Sequence, residues 1–440
     1  MKPLPLLLPA ALLCAAMLAP LPALLQAQSP VGFPTSWDPA LMNRADIKSA
    51  MESLEKNFPQ QVEEWIRLTE IPAKSGEEQA RAAYVRAAFE QAGLADISTD
   101  SIGNVSGLRK GSGGGPTIAI MAHMDVVFDN DVPRKVRRSG DTLFAPGIGD
   151  NTASVADMLA MIRTMNSSGF KHKGDIIFIA TVQEEIGLKG AKYWLDHNPA
   201  PDLLIVPDWF YGSVAYGALG IYWTKYTFTS EGSHTLNSRG QPTPVRAVAE
   251  AIDRIYALDI PPLPDGAVVN VGQIHGGLIY NSIPQELYFT VDLRTPDAAL
   301  IDSLDKVITD IARSVAEKHK LGLEIEIPQR VEAGGTEAQL SGARAHPLVQ
   351  TAVDINRFLG ISPAQPSAND AVATGATDAN PGVSAKIPSI AIAGSNAVGA
   401  HQLSEYALAS SALPSTKLLY LLTATFADGI KTVAPAKVVP

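Results

Sequence analysis

The sequence predicts an α/β chain built on a mostly parallel sheet with helices on both faces, interrupted by a compact βαββαβ unit. Three observations predict it. Before Tyr222, short apolar runs alternate with helix-patterned segments, the order that gives a buried parallel sheet. From Tyr222 the order becomes strand, helix, strand, strand, helix, strand, the signature of a ferredoxin-like unit. The chain's 440 residues exceed what one core organises, and the α/β pattern resumes near His346.

The elements follow in order. Lys2, the apolar stretch 6–25 broken by Pro9, Pro20 and Pro22, and the small residue Ala27 read as a secretory signal over residues 1–27. The prolines and the short core argue against a membrane anchor, and Leu13 before Cys14 argues against a lipoprotein signal. The mature chain is therefore expected to be exported, periplasmic or secreted. Residues 28–43 are Pro-rich and aperiodic, an extended arm. Residues 75–92 read as a helix, with Ser75 and Glu78 as a capping box and Ala82, Val85, Phe89 and Ala92 as its apolar stripe. Residues 117–122, 175–182 and 203–206 are apolar runs of buried-strand length, with a helix at 152–165. The inserted unit reads as strand 222–230, helix 244–258, strands 267–275 and 286–294, helix 297–319 and strand 323–327. A helix at 346–359, a strand at 389–393 and a closing helix at 414–426 complete the chain. The expected division is a first catalytic part at 28–217, an inserted unit at 218–330 and a second catalytic part at 331–440.

Composition narrows the chemistry. Hydrophobic residues are 46% and charged residues 18% of the chain, globular proportions. The single cysteine, Cys14, lies inside the leader, so a mature metal site must use His, Asp and Glu. A formal net charge of −10 argues against nucleic acid as a partner. The basic run Arg134, Lys135, Arg137 and Arg138 contains no aromatic residue and reads as a solvated loop. No segment after the leader has 18 uninterrupted apolar residues, so no stable membrane insertion is expected.

Five places put His, Asp or Glu at a strand end or in a Gly-bounded loop, where ligands of an open parallel sheet bind. His123 and Asp125 are two apart on a strand end and point the same way: a metal-binding His with Asp125 fixing its tautomer, or a satisfied buried pair. Asp150, in Gly147-Ile148-Gly149-Asp150-Asn151, is either a helix cap or a carboxylate aimed by an unusual backbone. Glu184 and Glu185 are adjacent and point apart, which suits one metal ligand and one general base, or a solvated charge pair. Asp208 follows Leu203-Leu204-Ile205-Val206-Pro207, and His401 lies in Gly399-Ala400-His401-Gln402-Leu403-Ser404-Glu405; either alone fits a surface or capping role.

Taken in order, His123-Met124-Asp125, Gly149-Asp150-Asn151, Glu184-Glu185-Ile186-Gly187, Pro207-Asp208 and Ala400-His401 with Glu405 resemble the M20 family of metallopeptidases from about Ala45 to Ala427. The resemblance implies a two-zinc site, with cobalt or manganese as alternatives. Asp150 would bridge, His123 and Asp208 would complete one metal, and Glu185 and His401 the other. Glu184 would be the general base and Asp125 the partner of His123. The inserted unit resembles the family's lid and dimerisation domain. His234 would there stabilise an oxyanion, often across a dimer, and Asn281 and Arg294 would hold substrate polar groups; for Arg294 a surface ion pair is the alternative. Residues 376–379 resemble a family loop near the site, without an assigned role. Asp rather than Glu at position 208 resembles the aminopeptidase and dipeptidase branch. The expected substrate is a short peptide. An N-acyl amino acid cleaved by a deacylase, or a carboxypeptidase substrate, is the alternative on the same site, and a secreted binding protein without turnover is the remote one.

Overall fold

The computed structural model describes residues 33–263, 265–361 and 375–431. The expected leader, residues 1–27, lies outside the described residues, as does the tail after Lys431. Among the described residues no helix is long and apolar enough to cross a membrane.

A seven-stranded sheet forms the centre. Its strand order is Ala95–Thr99, Val105–Arg109, Ile176–Thr181, Ile118–His123, Leu203–Pro207, Ser389–Ile392 and Val214–Ala215. Four adjacent strands, Ile176–Thr181 to Ser389–Ile392, run parallel, and each of the three outer strands pairs antiparallel with its inner neighbour. The apolar runs are continuous because both faces are covered. Ile118, Ile120 and Ala122 enter one core, together with helices Ala45–Glu70, Thr152–Ser167 and Ala412–Phe426. Ala119 and Met121 enter the other, under Lys189–His197 and Ala379–Ser384. Alternate residues thus serve opposite faces, the period-two geometry of a strand.

The interrupting unit is a four-stranded antiparallel sheet in the order Val268–Gly276, Glu286–Thr295, Gly220–Thr229, Gly322–Val331. Its helices, Pro244–Tyr256 and Ala298–His319, pack over a separate core centred on Tyr226, Phe228, Phe289 and Val291. Asp297 caps the second helix by accepting from the N–H groups of Ala299 and Leu300.

A third, small sheet positions the site. Arg137–Ser139, Thr142–Phe144, Tyr406–Leu408 and Ala397–Val398 pair antiparallel. It joins the loop before Asp150 to the hairpin that carries His401. The basic run is therefore not a free loop: Arg137 and Arg138 lie on this sheet's edge strand, Arg137 stacks 3.8 Å over the Phe144 ring, and Arg134 is buried. The proximity of Phe144 across the strand pair decides this, and no local pattern signals it.

The capping box at Ser75 and Glu78 does not form. The helix begins at Gln79 with no side-chain cap. Ser75 Oγ instead donates to Asp125 Oδ2 at 2.7 Å, and Glu78 Oε1 accepts from the N–H groups of Gly76 (2.7 Å) and Gln183 (3.1 Å). Both side chains turn inward because buried polar groups at the strand ends need partners there.

Candidate metal centre and active site

The four parallel strands end on one side of the sheet. His123 is the last residue of its strand, Glu184 and Glu185 follow the strand ending at Thr181, and Asp208 follows Pro207. Asp150 arrives on the loop before helix Thr152–Ser167. Asn151 occupies that helix's cap position without a side-chain cap bond, and the Asp150–Asn151 peptide is cis. The carboxylate of Asp150 is thus not spent on capping. His401 sits on the hairpin between Ala397–Val398 and Tyr406–Leu408, at φ 64° after Gly399 at φ 85°.

These side chains converge. Asp150 Oδ1 lies 3.1 Å from His123 Nε2, and its Oδ2 lies 3.4 Å from His401 Nε2. Asp208 Oδ1 is 3.8 Å and Glu184 Oε2 is 3.9 Å from His123 Nε2. Glu185 Oε2 is 2.9 Å from His401 Nε2. Two donor groups, His123 with Asp150 and Asp208, and Asp150 with Glu185 and His401, each lie within 4.8 Å and share Asp150. A third combination, His123 with Glu184 and Glu185, is equally close.

Asp125 braces this cluster. Its Oδ1 lies 3.5 Å from His123 Nδ1, whose nearer contact is the Asp125 carbonyl at 3.2 Å. The same carboxylate accepts from the N–H groups of Glu184 (3.0 Å) and Glu185 (3.2 Å). One buried side chain thus ties two strand ends together. Burial pushes the Asp125 carboxyl up, but His123, Ser75 and the Glu184 amide hold it below the usual range. Glu405 does the corresponding work for the Asp150 loop, accepting from the N–H groups of Gly147, Gly149 and Asp150 at 2.6, 2.8 and 3.0 Å. Arg81, fully buried, donates to the carbonyls of Ile71 and Met124 and so holds the residue between His123 and Asp125.

Charge is crowded here. Burial lifts the carboxyls of Glu184 and Asp208 above their ordinary values against the pull of His123. Burial and the neighbouring Asp150 lift Glu185 to about 7, and hydrogen bonds to Asp150 and Glu185 raise His401 to about 10. His123 Nε2 is buried and has no hydrogen-bond partner, although three carboxylates surround it. A ring nitrogen left without a directed bond amid carboxylates fits a cation between them, and the all-His and carboxylate donor set fits a pair of divalent ions.

Other expected site residues lie elsewhere. His234 and Asn281 are exposed beside a short ladder of Ser233–His234 with Ser282–Ile283. Asn281 Nδ2 stands 3.3 Å from His234 Nε2, and His234 Nδ1 accepts from the Leu236 N–H. Arg294 Nε donates to both Asp292 oxygens, at 3.0 and 3.1 Å, because residues two apart on a strand share a face. None of the three lines the cavity at the cluster. Arg294 is the ion pair that was its alternative.

That cavity, about 380 Å³, is bounded by Asp150, Glu184, Glu185, Asp208 and His401 and by the aromatic run Trp209, Phe210 and Tyr211. The aromatic run is visible in sequence as three consecutive rings after a ligand candidate, but its place on the cavity depends on the fold. In the loop 376–379, Ala376 and Thr377 line the cavity, and buried Asp378 accepts from the Thr181 hydroxyl.

The chain belongs to peptidase family M20/M25/M40, whose model matches residues 119–425. Among solved structures it is similar to a tripeptidase from Staphylococcus aureus, at 20% identity and a TM-score of 0.68 over 84% of this chain and 99% of that one. It is also similar to a dinuclear metal-binding M20 peptidase from Bacillus subtilis, at 16% identity and a TM-score of 0.60 over 85% and 99% of the two chains. Among curated proteins, a β-Ala-Xaa dipeptidase from Lactobacillus delbrueckii subsp. lactis is 25% identical over 31% of this chain and 30% of its own length. An N-carbamoyl-L-amino-acid amidohydrolase from Rhizobium meliloti is 26% identical over 32% and 35%. The match thus spans about a third of each curated relative.

Proposed function

We propose that this protein is an exported two-zinc hydrolase that cleaves the amide bond of short peptides with Glu184 as general base. The observation that carries the reading is the sharing of Asp150: one carboxylate oxygen faces His123 and the other faces His401. His123, Asp150 and Asp208 would hold one cation, and Asp150, Glu185 and His401 the other. Bound there, the cations would supply Lewis-acid polarisation of the scissile carbonyl and acidify a water molecule.

The chain's own residues do the rest. Glu184 belongs to neither donor group built on Asp150 and lines the cavity, so it is free to take the water proton and return it to the leaving amine. Asp125 fixes the ring of His123 and the backbone of Glu184 at once, which keeps base and metal site in register. His234 would reach the carbonyl oxygen, and Asn281 a polar group of the substrate, only through closure of the four-stranded unit or from a second copy, so a homodimer through this unit is part of this reading. The dipeptidase and tripeptidase among the similar proteins, together with Asp at position 208, support peptides; the carbamoyl amidohydrolase keeps N-acyl amino acids as the second reading.

The test is a mass-spectrometric digest of a mixed library of short peptides and N-acyl amino acids by the zinc-loaded protein, with metal content measured alongside. The expected result is two zinc per chain and loss of di- and tripeptides. Loss of the N-acyl amino acids alone would transfer the assignment to the deacylase reading, and two bound zincs with no cleavage of anything would overturn it.

A further inference from the structure

We propose that Phe210 is a specificity-determining residue, forming the exposed wall of a slot for an apolar side chain next to the scissile bond. The inference rests on the amide-hydrolase reading and adds a substrate class to it: peptides or N-acyl amino acids with an aromatic or branched aliphatic residue at that position.

The chain bends sharply after the strand Leu203–Pro207. Asp208 N–H returns to the Val206 carbonyl at 3.0 Å, and the amide and hydroxyl of Ser213 both donate to the Phe210 carbonyl, at 3.0 and 2.8 Å. Gly212, at φ 80°, supplies the left-handed residue this turn requires. Trp209 packs back onto the core on one side of the sheet and Tyr211 onto the core on the other. Phe210 is held between them with its ring turned out: it is 47% exposed and meets Trp209 edge-on at 4.9 Å. A ring presented this way, on a fixed backbone two residues from a proposed ligand, offers apolar area to whatever enters the cavity.

The remaining lining selects by size and charge. Away from the carboxylates and the rings, the cavity is edged mainly by small residues, including Gly375, Ala376, Gly394, Ser395 and Ala397. Small neighbours beside a ring leave room that a substrate side chain fills. Among the described residues no Lys or Arg lines the cavity, and His401 is already engaged by Asp150 and Glu185, so an acidic substrate side chain would meet carboxylates with no free cationic side chain to pair it.

The experiment compares zinc-loaded wild type with Phe210→Ala, a change at an exposed side chain. Equilibrium binding of phenylalanine, leucine, serine and aspartate hydroxamates is measured by calorimetry. Turnover is then measured on dipeptides varied at each position in turn. Wild type is expected to bind the phenylalanine and leucine compounds about tenfold or more tighter than the serine and aspartate ones. Phe210→Ala should collapse that ratio while zinc content and serine binding stay unchanged. The same ratio in kcat/KM should appear in one of the two dipeptide series. Equal binding of all four compounds by wild type, or an unchanged ratio in the variant, overturns the slot. Discriminating binding without hydrolysis of any dipeptide or N-acyl amino acid keeps the slot and overturns the amide-hydrolase reading instead.

Discussion

At the carboxyl ends of the parallel strands, His123 is 1% exposed, fixed by Asp125 and surrounded by carboxylates. On the short ladder of Ser233–His234 with Ser282–Ile283, His234 is exposed and has Asn281 beside it at 3.3 Å. The first histidine is held by groups from several distant segments; the second is held only by its own turn, through the Leu236 N–H, and by one other segment, through Asn281. A position fixed by many segments is pre-organised before any ligand arrives, and a position fixed locally becomes part of a site only when its whole unit moves or a second chain docks. The two should therefore fail differently when changed.

The sharpest separation comes from Glu184→Ala. The side chain lies in the pre-organised region but outside the two donor groups that share Asp150. Two zincs should remain bound while kcat falls by about 10³ or more. Metal analysis with steady-state kinetics checks both halves, and unimpaired turnover would remove Glu184 from the chemistry. His234→Ala probes the other region. Zinc content should again hold, with kcat down on the order of 10², the effect of losing one oxyanion donor. Mixing this variant with Glu184→Ala then locates the action: returning activity means that His234 serves the partner's site, and none returning while mixed dimers form means that it serves its own.

The same contrast explains what could be read from the chain. His123, Glu184, Glu185 and Asp208 were legible because each ends an apolar run, and runs of that kind must lie side by side in one sheet. Asp150 and His401 were legible only through their glycine-bounded motifs, since the small sheet that joins them pairs Tyr406 with Phe144 across a long stretch of sequence. The supports were not legible. Ser75 and Glu78 carry a helix-cap pattern, yet their partners are Asp125 and the Gln183 N–H, which no local rule can see. Arg294 is the opposite case: the ion pair offered for it needs only a neighbour two residues away, Asp292, which does engage it. Phe210 shows a third case, a visible aromatic run whose meaning depends on which way the turn throws each ring.

Asp157 sharpens the comparison from within the α/β part, because it is a buried carboxylate with no imidazole beside it. It lies on helix Thr152–Ser167, accepts from Gln61 Nε2 at 2.6 Å through Oδ1, and leaves Oδ2 without a partner. Burial raises its carboxyl well above the ordinary range, against weaker pulls from Thr416 and Gln61. A carboxyl raised in the folded state favours folding fully at pH below its unfolded value, and that contribution is lost as pH rises towards the folded value. Asp157→Asn keeps an oxygen for Gln61 and cannot ionise. The variant should therefore melt above wild type at pH 8, by on the order of 2 °C, and the gap should close towards pH 4. Calorimetric melting across that range is the measurement. A gap that does not change with pH would mean that Asp157 is neutral or ionised alike in both states, and that a carboxylate here needs no counter-charge of the kind gathered around Asp150.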